Sequence, residues 1–318
     1  PRLRLRLGVE VGKDVTAEEL AARHDAVVYA VGAASAKRLG VPGEDLPGSV
    51  AATTVVAWYN GHPDVADDAV DLSSERVVLV GGGNVALDVA RILTADPKTL
   101  EGTSIAPRAL ERLRSSSVRE VVVLARRGPD EVACSRSELL ALVERSDAAV
   151  VVDVRDERTA RTISAGLTEK AVVLQRVALE EVDWSAPPPP GRRVVFRFHS
   201  APVAVLGDTG VRGLRVTGPA DDVEIGTGQV VRAVGYRGIP VPGLPFDEAT
   251  GTVPHSGGRV ADRPGTYVVG WIKRGSTGGI GANKTCAAET VDALVADAVN
   301  GRLPARRTTL LSRLRRRS

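Results

Sequence analysis

The feature that most constrains this chain is a glycine turn between a short apolar run and an amphipathic segment. Residues 77–93 read VVLVGGGNVALDVARIL, in which Gly81, Gly83 and Ala86 match G-x-G-x-x-A. After a buried strand, the first glycine permits a tight turn, the second lets the backbone approach a pyrophosphate, and the alanine keeps the helix close to its strand. The helix start also attracts phosphate. This context predicts a dinucleotide site over residues 81–85, with a purely structural turn as the alternative.

The residues after the next apolar run indicate which dinucleotide is bound. The second strand of such a site ends beside the adenosine ribose, where NAD requires a carboxylate and NADP requires arginine. Residues 121–125 form the run VVVLA, and Arg126-Arg127-Gly128-Pro129 follow it. A solvated pair of charges at a strand end is the alternative, but two arginines at this position favour NADP.

A second glycine-rich segment lies near the end of the chain. Residues 267–284 read YVVGWIKRGSTGGIGANK, with glycines at 275, 278, 279 and 281. Glycines let backbone amides lie flat against a planar ligand, and a following helix start favours negative charge. A flavin, which is anionic when reduced, is one ligand that would use such a loop. A mobile surface loop is the other interpretation.

Two similar runs indicate that one domain is inserted into another. Residues 27–32 read VVYAVG and residues 230–235 read VVRAVG, one on each side of the glycine turn. Together with the strand–turn–helix pattern, they predict an α/β fold with an outer part, an inserted domain and a return to the outer part. The predicted segments are residues 1–50 (outer part and connector), 51–235 (dinucleotide-binding domain with a β-meander), 236–300 (outer part) and 301–318 (basic tail, disordered and solvated).

Hydrophobic periodicity predicts the elements of the outer part. Residues 1–11 alternate apolar and polar side chains, which predicts a strand. Thr16 and Glu19 have the spacing of a capping box at a helix start. Residues 26–31 form a continuous apolar run, which is typical of a central parallel strand.

Two further elements follow from the same periodicity. The short runs at 194–198, 203–206 and 214–217 predict an antiparallel meander. The last helix is expected to end at Asn300 and Gly301. Its apolar stripe is expected to bury Val291, Leu294, Val295 and Ala298.

Composition narrows the possible function classes. No apolar run reaches the roughly 18 residues of a membrane span, and a net charge of +3 gives little reason to expect nucleic acid as a partner. Cys134 and Cys286 form no C-x-x-C pair, so we expect neither a redox dithiol nor a cysteine-ligated metal. The histidines are His24, His62, His199 and His255, and their spacing along the chain is not that of metal ligands. The chain begins at Pro1 and has no methionine, so we interpret it as N-terminally incomplete.

Four segments together resemble the adrenodoxin-reductase-type ferredoxin–NADP reductases, over residues 1 to about 300. They are GGGNVALDVARIL, LARRGP with Glu138 after it, AVGYRGIPVPGLPFD and VVGWIKRGSTGGIGANK. These proteins are flavoproteins with a glutathione-reductase-like pair of dinucleotide-binding, Rossmann-like domains. The resemblance implies that the inserted domain binds NADP and that the outer part belongs to an FAD domain.

The resemblance also implies which residues contact the cofactors. It implies NADP contacts at Gly82, Gly83, Asn84, Val85, Arg126, Arg127 and Glu138. It implies FAD contacts at Trp271, Gly278, Gly279 and Ile280, with Gly278 also close to the nicotinamide and Val9 at the adenine end of FAD. No catalytic side chain is expected, because the cofactors carry the chemistry and the protein supplies binding and orientation.

The activity implied is transfer of hydride from NADPH to FAD, and then of single electrons to a ferredoxin-like iron–sulfur protein, in the cytoplasm. Members of the family begin with their own strand–GxGxxG–helix for FAD, and nothing of that kind precedes Pro1, so the N-terminal βαβ of the FAD domain is expected to be missing. Two alternatives stay open. One is a reductase subunit of a larger, glutamate-synthase-like FAD and NADPH enzyme, and the other is an NADP-binding remnant without flavin activity.

Overall fold

The computed structural model describes residues 3–218, 222–278 and 280–304, with the backbone alone at Ile280. The chain divides into two compact units. The inserted unit is Ala36–Gly235, and the outer unit comprises the chain up to Ser35 and from Tyr236 onward. Residues 305–318, which include most of the predicted basic tail, lie outside the described residues.

Strands and helices are interspersed up to Leu174, and the described elements between Leu174 and Trp271 are all strands. In chain order the strands are β1 (Val27–Tyr29), β2 (Ser35–Ala36), β3 (Ser49–Ala51), β4 (Arg76–Val80), β5 (Glu120–Leu124), β6 (Ala149–Asp153), β7 (Ala178–Glu180), β8 (Arg193–Arg197), β9 (Pro202–Leu206), β10 (Gly213–Val216), β11 (Val223–Gly226), β12 (Gln229–Arg232), β13 (Tyr236–Arg237), β14 (His255–Ser256), β15 (Arg259–Val260) and β16 (Thr266–Val268). The helices are α1 (Ala17–Arg23), α2 (Ala52–Tyr59), α3 (Asn84–Thr94), α4 (Pro97–Leu100), α5 (Pro107–Arg114), α6 (Arg136–Arg145), α7 (Glu157–Ala165), α8 (Glu169–Leu174), α9 (Trp271–Arg274) and α10 (Ile280–Val299). A short 3₁₀ turn covers Pro129–Glu131. None of the described helices is long and apolar enough to span a bilayer.

The inserted unit is built on a parallel sheet with the strand order β3-β12-β4-β5-β8-β6-β7. Val77 and Leu79 of β4 lie in a core with the helices, whereas Val78 and Val80 lie in a second core with the antiparallel sheet β9–β10–β11. Every residue of β4 and β5 is buried. A strand covered on both faces reads as a continuous apolar run, which is why the run before the glycine turn does not alternate.

The predicted meander is wrong in its first strand. Residues 194–198 were expected to pair with 203–206, but β8 pairs in parallel with β5 and β6 inside the large sheet. The antiparallel sheet instead takes β11 as its third strand. Val194, Val195 and Phe196 are fully buried, and this unbroken apolar run indicates a central parallel strand more strongly than proximity along the chain indicates a hairpin.

The outer unit contains a sheet in the order β1-β16-β15-β14, with β1 parallel to β16. The apolar run at 26–31 does form a strand, but within the described residues β1 is an edge strand rather than a central one. The strand predicted at 1–11 is wrong, because residues 3–10 take no regular structure. Leu3, Leu5 and Leu7 are 75–86% exposed, since in the described part of the chain no strand pairs with them.

Helix α10 ends where the sequence predicts but does not bury the stripe predicted. It stops at Val299, and Gly301 has a φ of +65°. Val291 and Val295 are about half exposed, whereas Thr290 and Asp297 are buried. The polar contacts of Asp297 explain which side of the helix is buried. The Asp297 carboxylate accepts hydrogen bonds from Arg259 and from the Tyr267 hydroxyl at 2.6 and 2.9 Å. These bonds orient the polar side of the helix toward the sheet.

A buried ion cluster closes the amino end of the large sheet. Glu120 is fully buried and forms ion pairs with Arg76 and Arg193, the latter at 2.5 Å. At the carboxyl end of the neighbouring strands, Arg197 pairs with Asp153 at 2.5 Å. The Trp184 indole lies between the two clusters, with the Arg76 and Arg197 guanidinium groups 5.6 and 5.5 Å from its ring centroid. Charges buried this deeply require all their partners.

We predict that Glu120→Ala lowers the free energy of unfolding by about 3–5 kcal/mol, because it leaves the buried Arg76 guanidinium without a carboxylate and removes one of the two carboxylates that pair with Arg193. Glu144→Ala is the matched control. Glu144 pairs with Arg176 at 2.6 Å, but both side chains are about half exposed, so its loss should cost less than about 1 kcal/mol. Urea unfolding followed by circular dichroism measures both values. Equal losses in the two variants would contradict this account.

Candidate functional site

Parallel pairing brings the ends of several strands of the inserted unit to one edge of the sheet. Gly81 follows β4, and its N–H donates to the carbonyl of Leu124 at the end of β5 at 2.9 Å. Arg126 lies just beyond β5, and β8 ends beside it, since Leu124 and Arg197 are paired in register. In open parallel sheets, ligands bind outside the carboxyl ends of the strands. The structure therefore brings the predicted glycine and arginine residues together at this edge.

The three glycines of the turn differ in what surrounds them. Gly81 has a φ of +128°, and a Cβ there would lie 2.3 Å from the carbonyl oxygen of Ala233. A Cβ on Gly82 would lie 2.7 Å from Cγ2 of Val132. Gly83 has ordinary backbone angles, and nothing described lies within 4 Å of its Cβ position. The first two glycines are needed for the fold, whereas the third leaves open space.

The open space lies at the start of helix α3. Gly83 is the N-cap residue, and no side chain of the described residues caps the helix. The Asn84 side chain, which immediately follows, instead accepts a hydrogen bond from the N–H of Ser135 at 2.8 Å. Val85 faces inward and packs against the helical core. The first N–H groups of α3 therefore remain available to a phosphate.

Arg126 and Arg127 are exposed at the end of β5. Neither side chain has a hydrogen bond or ion pair with any residue that the structure describes. This contrasts with Arg76 and Arg193, which lie at the opposite end of the same sheet and share Glu120. Two uncompensated guanidinium groups at the same sheet edge as an uncapped helix start are suited to a multiply charged anion.

Glu138 lies in the first turn of α6, where its N–H donates to the Ser135 hydroxyl at 3.3 Å. Its carboxylate is close enough to Asp88 of α3 to affect the pKa of that residue. Burial raises the pKa of Asp88, Arg91 opposes this effect, and Glu138 raises the pKa further. The segment before α6 is tied to the turn, because the N–H of Cys134 donates to the Gly82 carbonyl at 2.8 Å. The structure thus holds Glu138 near the glycine turn.

The second predicted site lies in the outer unit, on helix α9 and the loop that follows it. Trp271 stacks on Tyr236, with ring centroids 5.8 Å apart and planes 18° from parallel. The Trp271 Nε1 is buried and has no hydrogen-bond partner among the described residues. Buried indole N–H groups usually have an acceptor, so this one is suited to a ligand.

The remaining predicted flavin residues are described to different extents. Gly278 has a φ of +72°, and a Cβ there would lie 2.7 Å from the Cβ of Ala282. Gly279 lies outside the described residues, and Ile280 is described only as the first residue of α10. Val9 is 48% exposed in a segment without regular structure. No hydrogen bond or ring contact of the described residues joins Val9 to the 271–278 loop.

Sequence reasoning missed the residues that support this loop. The Ser276 hydroxyl donates to the Tyr236 carbonyl at 2.7 Å, and the buried Lys273 pairs with Glu289 at 2.8 Å. It also missed His199, which lies beyond the end of β8 with a φ of +51°. The two pairs of the loop are 16 and 40 residues apart along the chain, and the Arg127 carbonyl that accepts the His199 N–H is 72 residues from it, so no local spacing indicates these contacts.

Known proteins share the sequence pattern and the fold of this chain. The profile of the pyridine nucleotide-disulphide oxidoreductase family matches residues 6–163. The chain is 49% identical over 95% of its length to a probable ferredoxin/ferredoxin–NADP reductase of Mycobacterium tuberculosis, and 44% identical over 95% to the NADPH-ferredoxin reductase FprA of that organism. The solved structure of M. tuberculosis FprA in complex with NADPH superposes on 95% of this chain with a TM-score of 0.82 and 43% identity.

The chain is shorter than these relatives. It spans 54% of the length of the probable ferredoxin/ferredoxin–NADP reductase. It spans 70% of the length of FprA, both in sequence and in the NADPH complex.

We predict that Gly83→Ala weakens binding of a phosphorylated dinucleotide at least about tenfold, or about 1.4 kcal/mol, because the methyl group enters the open space at the helix start. The free energy of unfolding should fall by about 1 kcal/mol or less, because alanine is a poorer N-cap residue than glycine. Calorimetric titration with NADP and thermal unfolding measure the two effects.

Gly81→Ala is the contrasting variant. Its methyl group would meet the Ala233 carbonyl at a positive φ, so it should lower stability as well as affinity. If Gly83→Ala were as unstable as Gly81→Ala, the open space at Gly83 would be structural rather than a ligand site.

Proposed function

Because the chain belongs to the adrenodoxin-reductase-type ferredoxin–NADP reductases, we propose that it serves in electron transfer from NADPH through FAD to a ferredoxin-like iron–sulfur protein. One observation carries the proposal. An uncapped helix start with open space at Gly83 lies at the same sheet edge as two unpaired arginines. A dinucleotide with an extra phosphate on its ribose satisfies both features at once.

On the NADP side, each feature of the inserted unit has a separate task. The N–H groups at residues 82–85 bind the pyrophosphate, and the dipole of α3 favours its charge. Arg126 and Arg127 bind the 2′-phosphate through charge-assisted hydrogen bonds, which are stronger than neutral ones. Glu138, held near the turn by Ser135, completes the site. NAD lacks the 2′-phosphate and would leave both arginines without a partner.

On the FAD side, the residues of the outer unit fit a planar ligand with polar edges. FAD held here would supply the conversion of a two-electron donor into single-electron transfer, and the residues of the chain would supply orientation and electrostatics. We propose that Trp271, fixed by its stack on Tyr236, donates its free indole N–H to this cofactor. Gly278, Gly279 and Ile280 are proposed to lie along the ring edge, where their backbone amides favour the reduced, anionic form. Val9 is proposed to contact the adenine end.

We further propose a ferredoxin-like protein as the electron acceptor, because relatives at 44–49% identity bear the names of ferredoxin reductases. We propose a cytoplasmic location as well. Cys134 and Cys286 are buried and not joined in a disulfide, which suits a reducing compartment.

We predict that Arg126→Ser and Arg127→Ser each weaken NADP binding by about 1.5–3 kcal/mol, because each removes a charge-assisted contact to the 2′-phosphate. NAD binding should be unchanged, so the preference for NADP should fall by the full amount. Fluorescence or calorimetric titration with both dinucleotides measures this difference.

Arg161→Ser is the matched control for net charge. Arg161 is an exposed arginine of the same unit, on α7, and lies 4.0 Å from Glu157. It should leave both affinities unchanged. Loss of NAD and NADP binding to the same extent in the Arg126 and Arg127 variants would contradict their assignment to the 2′-phosphate.

The complete proposal is tested by adding FAD to the purified chain, removing the excess, and recording flavin absorption. NADPH is then supplied with a plant-type ferredoxin, and the iron–sulfur absorption is followed. Retained flavin with NADPH-dependent ferredoxin reduction supports the proposal. A chain that binds NADP but retains no flavin would be restricted to nucleotide binding.

A further inference from the structure

His199 occupies an unusual backbone position at the nucleotide-binding edge. It is one of the described non-glycine residues with a positive φ, at +51°. Histidine, asparagine and aspartate adopt this conformation more readily than other side chains, but it is still uncommon. Such conformations persist where the surrounding structure enforces them, and they cluster at binding sites. The contacts around His199 should therefore account for its positive φ.

The backbone of His199 is hydrogen-bonded to the loop that holds Arg126 and Arg127. Its N–H donates to the Arg127 carbonyl at 3.3 Å, and the next N–H, of Ser200, donates to the Ala125 carbonyl at 3.2 Å. These bonds lie just beyond the last paired residues of β5 and β8, Leu124 and Arg197, and they do not follow the register of that pairing. His199 is thus placed directly beside the two residues proposed to bind the 2′-phosphate.

The His199 ring lies against the same loop. A Cβ built on Gly128 would be 2.7 Å from the ring Cε1 and 2.9 Å from Nε2. The glycine in the Arg126-Arg127-Gly128 sequence therefore makes room for the imidazole. The side chain is half-buried, so the ring is held against the loop but still has access to a ligand there.

The buried carboxylate of Asp156 interacts electrostatically with His199. Asp156 caps α7 and is buried, and its Oδ2 has no hydrogen-bond partner among the described residues. Burial raises the pKa of Asp156, but hydrogen bonds from Arg158 and the charges of Arg158 and His199 lower it more, so it is ionised. The other charged groups of the surrounding elements are Arg155, the Arg197–Asp153 ion pair, and Asp130, which accepts a hydrogen bond from Thr168.

We propose that the His199 imidazolium is a third cationic group for the 2′-phosphate of NADP, which makes the preference for NADP over NAD increase as the pH falls through the range in which histidine gains a proton. The inference rests on the proposed function, because it assigns one more residue to the same site. Histidine is the side chain that ordinarily changes charge between pH 5 and 8. Arg126 and Arg127 keep their charge throughout, so they cannot produce this dependence.

The test compares the chain with its His199→Asn variant, which is neutral and tolerates the same backbone conformation. The probes are adenosine 2′,5′-bisphosphate and adenosine 5′-monophosphate, so neither flavin nor turnover is needed. Affinities are measured by calorimetry from pH 5.5 to 8.5 at constant ionic strength. The bisphosphate should bind the wild-type chain about tenfold more tightly than the variant near pH 6 and equally near pH 8. Monophosphate affinity should not differ at any pH.

The comparison of the two proteins at each pH cancels the titration of the phosphate itself, which has a second pKa near 6. A difference that is the same at every pH would indicate a structural role and overturn the inference, as would no difference at all. His199→Gly accepts the positive φ without a side chain and replaces His199→Asn if that variant does not fold.

The same titrations separate this inference from the proposed function. If the wild-type chain bound the bisphosphate no better than the monophosphate at any pH, the NADP site itself would be refuted together with the inference. If the bisphosphate were preferred in both proteins to the same extent, the NADP site would stand and the role of His199 would be refuted.

Discussion

The parallel pairing of β4, β5 and β8 is the constraint on which the candidate site depends. It brings the ends of three strands to one edge of one sheet, although the first and the third of these ends are more than 100 residues apart along the chain. Gly81 follows the first strand, the two arginines follow the second, and His199 lies beyond the end of the third. A different register would move each of these groups by a multiple of about 3.3 Å, which is enough to separate a pyrophosphate site from a ribose phosphate site.

The arginines of this sheet differ in how their charge is compensated. At the amino edge, Glu120 pairs with Arg76 and Arg193, and at the carboxyl edge Asp153 pairs with the buried Arg197. Arg126 and Arg127, at the same carboxyl edge, are exposed and have no carboxylate among the described residues. The same residue type therefore stabilises the fold where it is buried and paired, and it remains available for binding where it is exposed and unpaired. Burial and pairing, rather than the arginine content of the chain, distinguish the two roles.

The local features of the site could be predicted from the sequence, but the supporting contacts could not. The strand–turn–helix at 77–93 and the capping box of Thr16 and Glu19 depend on neighbouring residues, and both form. Strand β8 and the buried side of α10 depend on distant partners, so periodicity assigned them wrongly. Asp297 shows why: bonds from Arg259 and Tyr267 outweigh the preference of nearby valines for the interior. The ring of His199 on Gly128 is a contact between residues 71 positions apart, which no spacing rule reports.

The Trp184 indole lies between the guanidinium groups of Arg76 and Arg197, so it can report on local opening of the large sheet. Its Nε1–H donates to the buried Asp153 carboxylate at 3.0 Å. That proton can exchange with solvent only when the layer around it opens. The rate at which its proton magnetic resonance signal decays in heavy water would therefore measure how often the inserted unit opens locally, with no label and no substitution.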